Sequence, residues 1–200
     1  MSENFENIEE NNEELSMDMI RLLTIDDFCQ LLSTPAPVPG GGSVSAYVAS
    51  LGAALAGMVA NLTSGKKKYA EYQDEIEDII KAANILRDDL MEGISKDAES
   101  FLPLAGAYSL PANTEEEKRI KEKTLEELLV VAASAPLELI KKIIPAMEIL
   151  ERLTDIGTKL AISDVGTGLL LCDAAATAAA LNVYCNTKLM KNRELANKMD

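Results

Sequence analysis

The sequence predicts an all-α protein, a single-domain helical bundle with a buried central helix of small residues. Three observations indicate this class. Ala, Leu, Ile, Glu and Lys dominate, whereas aromatic residues are few and Trp is absent, which favours helices over sheets. Apolar residues recur at helical spacing in several long segments, and no segment alternates convincingly as a half-buried strand does. A length of 200 residues suits one domain with a sizeable core.

Charge and missing residue types exclude several classes of function. The chain has 33 acidic and 19 basic residues, a net charge of −14, so the broad basic surface that binds nucleic acid is not expected. It contains no His, which removes the commonest general acid–base group, His-based triads and the Glu-x-x-His ligands of di-iron bundles. Cys29, Cys172 and Cys185 are widely spaced. We expect them to be buried free thiols of a cytoplasmic protein, with no metal site.

The N-terminal part combines an acidic segment, a short helix and a proline-rich connection. Residues 1–16 carry acids and no base and are expected to be mobile, whereas residues 17–200 should form the helical domain. A capping-box pattern at Thr24 predicts a helix through Leu32. The prolines of residues 34–39 cannot continue that helix. The chain should therefore reach the following glycines in an extended form.

Three consecutive glycines, residues 40–42, precede the most apolar helix of the chain. They suit a loop that adopts positive φ and approaches a ligand closely, and Ser43 is a favoured N-cap. The run from Val44 to Thr63 has almost no polar face, which predicts a helix surrounded by protein. Its length would also span a bilayer, but its small residues and the amphipathic segments that follow favour a water-soluble bundle. Gly65 can end this helix.

The later helices are predicted from apolar spacing and from capping residues. A long amphipathic helix should run from Tyr69 towards residue 102, where Pro103 ends or bends it. A capping box at Thr114 predicts a helix to about residue 135. Pro136 should start another, to about residue 156. A second apolar helix should run over residues 163–186, followed by a short charged helix.

Asp97 is the strongest candidate for chemistry. It shares a helix stripe with Ile94, Ala98 and Phe101, so its carboxylate should point towards the core. Burying a carboxylate is costly unless it is paired, and such groups often have shifted pKa values. On spacing alone, a functional acid and a structural hydrogen bond to another helix are equally consistent with this position.

Other polar residues also have two interpretations each. The lysines at positions 66–68 either complement the negative end of a helix dipole or attract an anionic ligand. Ser163 and Asp164 are explained locally as an N-cap and an acid in the first helical turn. Asn182 and Asn186 lie four apart on an apolar helix, where a polar contact between helices is the simplest explanation.

Together these motifs resemble the cyclodeaminase/cyclohydrolase family. That family includes the C-terminal domain of formiminotransferase-cyclodeaminase and stand-alone bacterial methenyltetrahydrofolate cyclohydrolases. The similarity extends from about residue 24 to 190. The matching patterns are P-G-G-G-S at 39–43, G-K-K-K-Y at 65–69, D-A-x-x-F at 97–101, S-D-x-x-x-G at 163–168 and N-V-x-x-N at 182–186. Many members have Gly-Asn where this chain has Gly157-Thr158, so no role of that amide is carried over.

The resemblance implies a folate-dependent one-carbon enzyme that works as a homodimer, with no cofactor beyond its tetrahydrofolate substrate. One family reaction adds water to the methenyl bridge of 5,10-methenyltetrahydrofolate and gives 10-formyltetrahydrofolate. The other closes the ring of 5-formimidoyltetrahydrofolate and releases ammonia. We expect the cyclohydrolase, because no formiminotransferase segment accompanies the chain. The cyclodeaminase and a non-catalytic helical binding or assembly module are the alternatives.

The resemblance also implies roles for individual residues. Asp97 would transfer protons, with Lys66 as a second catalytic candidate, and Asp164 would contact the pterin edge. Asn182 would be a further substrate contact. The folate, chiefly its carboxylates, would be held by Gly40, Gly41, Gly42, Ser43, Lys67, Lys68 and Tyr69. We expect the glycines, the lysines and Asp97 to converge on one cavity, within or between subunits.

Overall fold

The structure, a computed structural model, describes residues 17–200 and contains only helices and turns in that range. The acidic segment 1–16, expected to be mobile, lies outside the described residues. The α-helices are α1 (Met17–Ile20), α2 (Ile25–Leu32), α3 (Gly41–Thr63), α4 (Gln73–Ala107), α5 (Glu115–Ile156), α6 (Ile162–Thr187) and α7 (Arg193–Met199), with 3₁₀ turns at Lys67–Tyr72 and Lys159–Ala161. The predicted all-α class is confirmed.

Helices α3, α4, α5 and α6 form a four-helix bundle in which each helix packs on the next and α6 closes on α3. Short connections make successive helices antiparallel. The core is formed by small residues of α3 against larger apolar residues of the other helices, among them Ala46, Ala49, Ala53, Ala56, Ile76, Leu90, Ile94, Ile143, Leu150 and Leu153. Helix α2 contacts α3 through Phe28, whose ring lies 5.6 Å from that of Tyr47.

Helices α3 and α6 are in close contact at Gly52. A Cβ atom there would lie 2.4 Å from the Sγ of Cys172 and 3.1 Å from the carbonyl oxygen of Gly168. Only glycine fits such a contact, because any side chain would push the two backbones apart. The small residues of α3 therefore serve close packing inside the bundle, as the sequence predicts for a helix enclosed by protein.

The capping residues predicted from sequence are confirmed for two helices and wrong for two others. Thr24 accepts a hydrogen bond from the N–H of Asp27, and Thr114 forms a full capping box with Glu117. In contrast, α3 begins at Gly41 rather than after Ser43, and Gly40 is its N-cap without a side-chain bond. Likewise α6 begins at Ile162, so Ser163 lies inside the first turn and caps nothing.

Prolines do not divide the helices as predicted. Helix α5 runs unbroken through Pro136 and Pro145, and α4 continues past Pro103 to Ala107. Pro136 has no N–H to offer the carbonyl of Ala132, but the Asn186 side chain of α6 donates to that carbonyl at 3.3 Å. Packing on both neighbours and this substitute bond offset the cost of proline in a helix, about 3 kcal/mol. The interhelical contact predicted for Asn186 is confirmed.

The two most apolar helices are covered to different extents. By length and composition alone, Gly41–Thr63 and the segment Lys159–Thr187 could each cross a membrane. Within the chain, 61% of the most apolar window of the first is buried, but only 28% of the second. Helix α3 is thus a core helix, as predicted, whereas a smaller share of α6 is buried and apolar residues such as Leu170 and Leu181 are exposed. Of the three free cysteines only Cys172 is buried, so the predicted burial is wrong for Cys29 and Cys185.

Candidate active site

The carboxylate of Asp97 lies against the first turn of α3. The hydroxyl of Ser43 donates a hydrogen bond of 2.8 Å to Oδ2 of Asp97, and the backbone N–H of Ser43 also bonds this carboxylate. The same hydroxyl lies 3.3 Å from the carbonyl oxygen of Ile94. Asp97, which belongs to α4, therefore caps the free N–H groups of a neighbouring helix, where the helix dipole also favours negative charge.

The glycine triplet makes room for this carboxylate. A Cβ atom on Gly42 would lie 1.9 Å from Oδ1 of Asp97, a distance no side chain tolerates. The triplet does not form the positive-φ loop that the sequence predicts: Gly40 is extended, at φ −129°, and Gly41 and Gly42 are helical. Among the described glycines, Gly65 alone has positive φ, at 73°. Close approach of an acid, rather than an unusual backbone, accounts for Gly42.

The environment of Asp97 favours its protonated form. Burial raises the pKa of this carboxyl above its ordinary value, and the hydrogen bonds from the Ser43 hydroxyl and N–H oppose that rise without cancelling it. The carboxyl is therefore poised to take up and release a proton closer to neutral pH than an exposed Asp would. A group of this kind is suited to general acid–base work.

Asp97 also lines a largely apolar cavity of about 270 Å³ between α4 and α5. The cavity reaches Gly42 and is lined by Gly93, Ser100, Ser134, Pro136 and Leu139. Lys96 and Lys142 stand at the same cavity, paired with Glu92 at 3.1 Å and Asp89 at 3.4 Å. A concave, mostly apolar space with a few convergent polar groups is what a small-molecule site requires.

The lysine triplet lies at the other end of α3. The Nζ of Lys66 donates to the Oγ1 of Thr158 at 3.2 Å, and the ammonium of Lys68 lies 5.2 Å from the ring centre of Tyr69. The buried Tyr69 accepts a long bond, 3.4 Å, from the N–H of Lys159. Within residues 17–200, none of the three lysine ammonium groups forms an ion pair with a carboxylate.

The predicted site residues therefore fall into two groups. Gly40 to Ser43 and Asp97 lie at the start of α3, together with Asn182, whose side chain is 3.5 Å from an ideal Cβ of Gly41. Lys66 to Tyr69 follow the end of α3, and Asp164 lies in the first turn of α6 at that same end. A helix of 23 residues separates the groups by roughly 33 Å. Convergence on one cavity within a single chain is therefore wrong, and convergence between subunits stays a prediction.

Sequence reasoning missed the contribution of α5 to the cavity. Ser134, Glu138 and Lys142 line it and lie four residues apart, a spacing that places them on one helix face. The spacing of these three polar residues could have predicted their shared face, but the helix break predicted at Pro136 placed them on two different helices.

In the described part of the chain, no three His, Cys, Asp or Glu side chains gather where they could hold a metal ion.

The fold and this site define an all-α bundle with an acid–base group at the wall of a small-molecule cavity. The chain belongs to the formiminotransferase-cyclodeaminase family, whose sequence profile matches residues 24–200. The family resemblance seen in the motifs is thereby confirmed.

Two curated relatives and one solved structure show the range of this similarity. The chain is 38% identical over 175 residues to a methenyltetrahydrofolate cyclohydrolase of Methylorubrum extorquens, covering 88% of this chain and 84% of that protein. It is 31% identical over 163 residues to the formimidoyltransferase-cyclodeaminase of Rattus norvegicus, covering 82% of this chain but 30% of that longer protein. The crystal structure of formiminotetrahydrofolate cyclodeaminase from Thermotoga maritima matches with a TM-score of 0.78 at 32% identity, over 88% of this chain and 84% of that one.

Proposed function

We propose that this chain is a 5,10-methenyltetrahydrofolate cyclohydrolase, which adds water to the methenyl bridge and forms 10-formyltetrahydrofolate. The observation that carries the proposal is the Asp97 carboxyl, held by Ser43 at the wall of an apolar cavity. Family membership supports a folate one-carbon reaction, and the cyclohydrolase relative covers nearly the whole chain at 38% identity. Tetrahydrofolate itself carries the one-carbon unit, and no further cofactor is part of the proposal.

Asp97 would serve the reaction by moving protons. The oxygen of water bonds to the methenyl carbon and its proton passes to the carboxylate, which leaves a tetrahedral carbon between N5 and N10. The N5–carbon bond then breaks as the carboxyl returns its proton to N5 and the hydroxyl of that carbon loses its own proton to become the formyl oxygen. One proton is therefore released overall, because the methenyl compound is a cation. Help of this kind contributes about 10²–10⁴-fold to a rate. The raised pKa of Asp97 suits a group that must accept and then return a proton.

The other predicted residues would bind rather than react. The first turn of α3 adjoins the Asp97 carboxyl at Gly42 and the Asn182 side chain at Gly41, and both would position the folate there. Lys66, Lys67 and Lys68 lack carboxylate partners within the described chain and would attract the folate carboxylates. Asp164 would accept hydrogen bonds from the pterin. The contact of Lys66 with Thr158 favours binding over a catalytic role for this lysine.

The cyclodeaminase reaction is the second candidate, because the Thermotoga maritima structure bears that name. A non-catalytic module is the third. Absorbance of methenyltetrahydrofolate separates all three when ammonia is measured beside it. Accelerated loss of absorbance without ammonia supports the cyclohydrolase. Gain of absorbance from the formimidoyl substrate with ammonia supports the cyclodeaminase, and no turnover of either substrate supports the non-catalytic module.

We also propose that the chain is a cytoplasmic homodimer. The free thiols of Cys29, Cys172 and Cys185 fit a reducing compartment, and the uncovered apolar surface of α6 fits a partner subunit. Cell fractionation and sedimentation equilibrium test these two statements. Recovery in the membrane fraction, or a monomer mass at micromolar concentration, would contradict them.

A further inference from the structure

One lysine at the wall of the Asp97 cavity is only loosely paired. Lys142 of α5 lines this cavity, and its Nζ lies 3.4 Å from Oδ2 of Asp89 on α4. Charge-assisted hydrogen bonds are about 2.7–2.9 Å long, and within residues 17–200 the ammonium of Lys142 forms no hydrogen bond. Its three donors are therefore available to a carboxylate that enters the cavity.

The other lysine and the glutamate at this cavity have closer partners. Lys96 donates to Glu92 of its own helix at 3.1 Å, and Glu138 accepts from Lys141 at 2.6 Å. The side chain of Lys142 is also less exposed, at 32%, than those of Lys96 and Lys141, at 57% and 60%. An ammonium that is partly withdrawn from water and lacks hydrogen bonds gains more from a new anionic partner than an exposed, paired one does.

The distance from Asp97 to Lys142 fits the length of a folate. Asp89, the partner of Lys142, precedes Asp97 on α4 by eight residues, which is roughly 12 Å along the helix axis. In a folate, the bonds from N10 across the benzoyl ring to the α-carboxylate of the first glutamate span roughly 10 Å. Between the two positions the cavity wall contains Gly93 and Leu139, an apolar surface suited to the ring. A one-carbon bridge at Asp97 therefore brings that carboxylate to Lys142.

Lys142 also lies in the direction of the lysine triplet. Gln73, at the start of α4, donates to the hydroxyl of Ser64 at 2.9 Å, so α4 begins where α3 ends. The step from Asp97 back to Asp89 consequently leads from the start of α3 towards its end. A tail of further glutamates that leaves Lys142 would continue towards Lys66–Lys68, which agrees with the binding role proposed for them.

We propose that Lys142 binds the α-carboxylate of the first glutamate of the folate and exchanges Asp89 for it when the substrate enters. This inference rests on the proposed function and makes Lys142 a specificity-determining residue, which selects pteroylglutamates over analogues without that carboxylate. Asp89 is displaced because the incoming carboxylate forms the short hydrogen bonds that the 3.4 Å pair lacks.

Two isomeric amides of methenyltetrahydrofolate test the contact. One carries an amide in place of the α-carboxylate and the other in place of the γ-carboxylate, so both have the same charge. With wild-type enzyme the α-amide should have a KM about 10- to 100-fold above that of the substrate, and the γ-amide should not. Lys142→Gln should raise the KM of the substrate and of the γ-amide by this factor and leave that of the α-amide unchanged, with kcat near wild type throughout. An equal effect of Lys142→Gln on all three compounds, or no effect, overturns the proposal.

Asp89→Asn tests the exchange of partners. Removing the competing carboxylate should lower the KM of the substrate about two- to fivefold, and an unchanged or raised KM overturns the exchange. Arg152→Gln is the matched control, because Arg152 joins α5 to Glu75 of α4 at 2.6 Å but does not line the cavity. Its KM should equal that of wild type, which separates loss of the carboxylate contact from loss of an ion pair between the two helices.

Binding of 5-formyltetrahydrofolate, measured by titration calorimetry, tests Lys142 without turnover. Lys142→Gln should weaken this binding about 10- to 100-fold, and Lys142→Arg, which keeps the charge, should restore most of it. If folate turnover is absent while these affinities are as expected, the proposed function fails and the carboxylate contact stands. If the wild type turns over methenyltetrahydrofolate but Lys142→Gln binds 5-formyltetrahydrofolate as tightly as wild type, the role of Lys142 fails and the proposed function stands.

Discussion

The charged groups at the two ends of α3 differ in how firmly they are held by neighbouring groups. At its start, the Asp97 carboxylate is held by the hydroxyl and the N–H of one residue, Ser43, and by the room that Gly42 leaves. At its end, three consecutive ammonium groups have hydroxyl partners in Thr158 and Tyr69 and no carboxylate among residues 17–200. The first end fixes a single acid in one place, and the second leaves positive charge available.

This difference assigns different work to the two ends. A group that transfers protons must be positioned within a fraction of an ångström of its target, which requires fixed partners. A group that attracts a charged substrate acts over longer distances and gains from having no internal partner. Changes at the Asp97 end should therefore lower kcat, and changes at the lysine end should raise KM.

The largest effect is expected from Asp97→Asn. The amide has the same shape but cannot accept and return a proton, so kcat should fall about 10²–10⁴-fold while KM changes little. Steady-state kinetics with methenyltetrahydrofolate measures both constants. Glu99→Gln is the matched control, because Glu99 is an exposed acid two residues along the same helix and its variant should keep wild-type kcat. Wild-type kcat in Asp97→Asn would remove the proton-transfer role.

Gly42→Ala should have the next largest effect. The added methyl group would lie 1.9 Å from Oδ1 of Asp97, so the carboxylate must move away from Ser43. A displacement of about 1 Å can cost roughly 10²-fold in rate, and we expect kcat to fall by about that factor.

Gly106→Ala, on the helix that carries Asp97, is the control for Gly42→Ala. Nothing lies within 4 Å of its added methyl group, so both kinetics and melting temperature should stay near wild type. Equal kinetics in the two alanine variants would mean that room for the Asp97 carboxylate does not explain why residue 42 is glycine.

The sequence predicted local features well and distances poorly. The N-cap at Thr24, the capping box at Thr114 and the inward position of Asp97 depend on spacings of three or four residues, and the structure has them. Helix continuity through Pro136 is helped by Asn186, whose side chain bonds the carbonyl of Ala132, 54 residues earlier, that proline leaves free. No local pattern reports such a partner, so the predicted break was wrong.

The predicted convergence of the candidate site residues within one chain was wrong because it, too, depended on distances that local spacing does not give. Ser43 and Lys66 are close in sequence, and their motifs read as one constellation. A helix advances about 1.5 Å per residue, so a 23-residue α3 places the two motifs at opposite ends of the bundle. The helix was predicted correctly, and its length was enough to show that a single chain cannot join them. Local residue spacing does not predict where a second subunit would lie.

The raised pKa of Asp97 predicts a stability that depends on pH. Burial makes the folded protein hold a proton that the unfolded chain releases near its ordinary pKa of 3.8. The free energy of unfolding should therefore fall as pH rises from that value through the raised pKa. Asp97→Asn removes this loss, so its melting temperature relative to wild type should be higher at pH 7.5 than at pH 4. Calorimetry at both pH values measures the difference, and a difference independent of pH would contradict a raised pKa.

The smallest effect is expected from Thr158→Val, which removes the hydroxyl that accepts from Lys66. A hydrogen bond of this kind contributes about 0.5–1.5 kcal/mol. The KM for a polyglutamylated substrate should therefore rise about two- to tenfold, with kcat unchanged. Thr154→Val is the control, since its hydroxyl bonds only the carbonyl of Glu151. If Thr158→Val lowered kcat and left KM unchanged, the lysine end of α3 would take part in the chemical step. The assignment of catalysis to one end and substrate binding to the other would then be wrong.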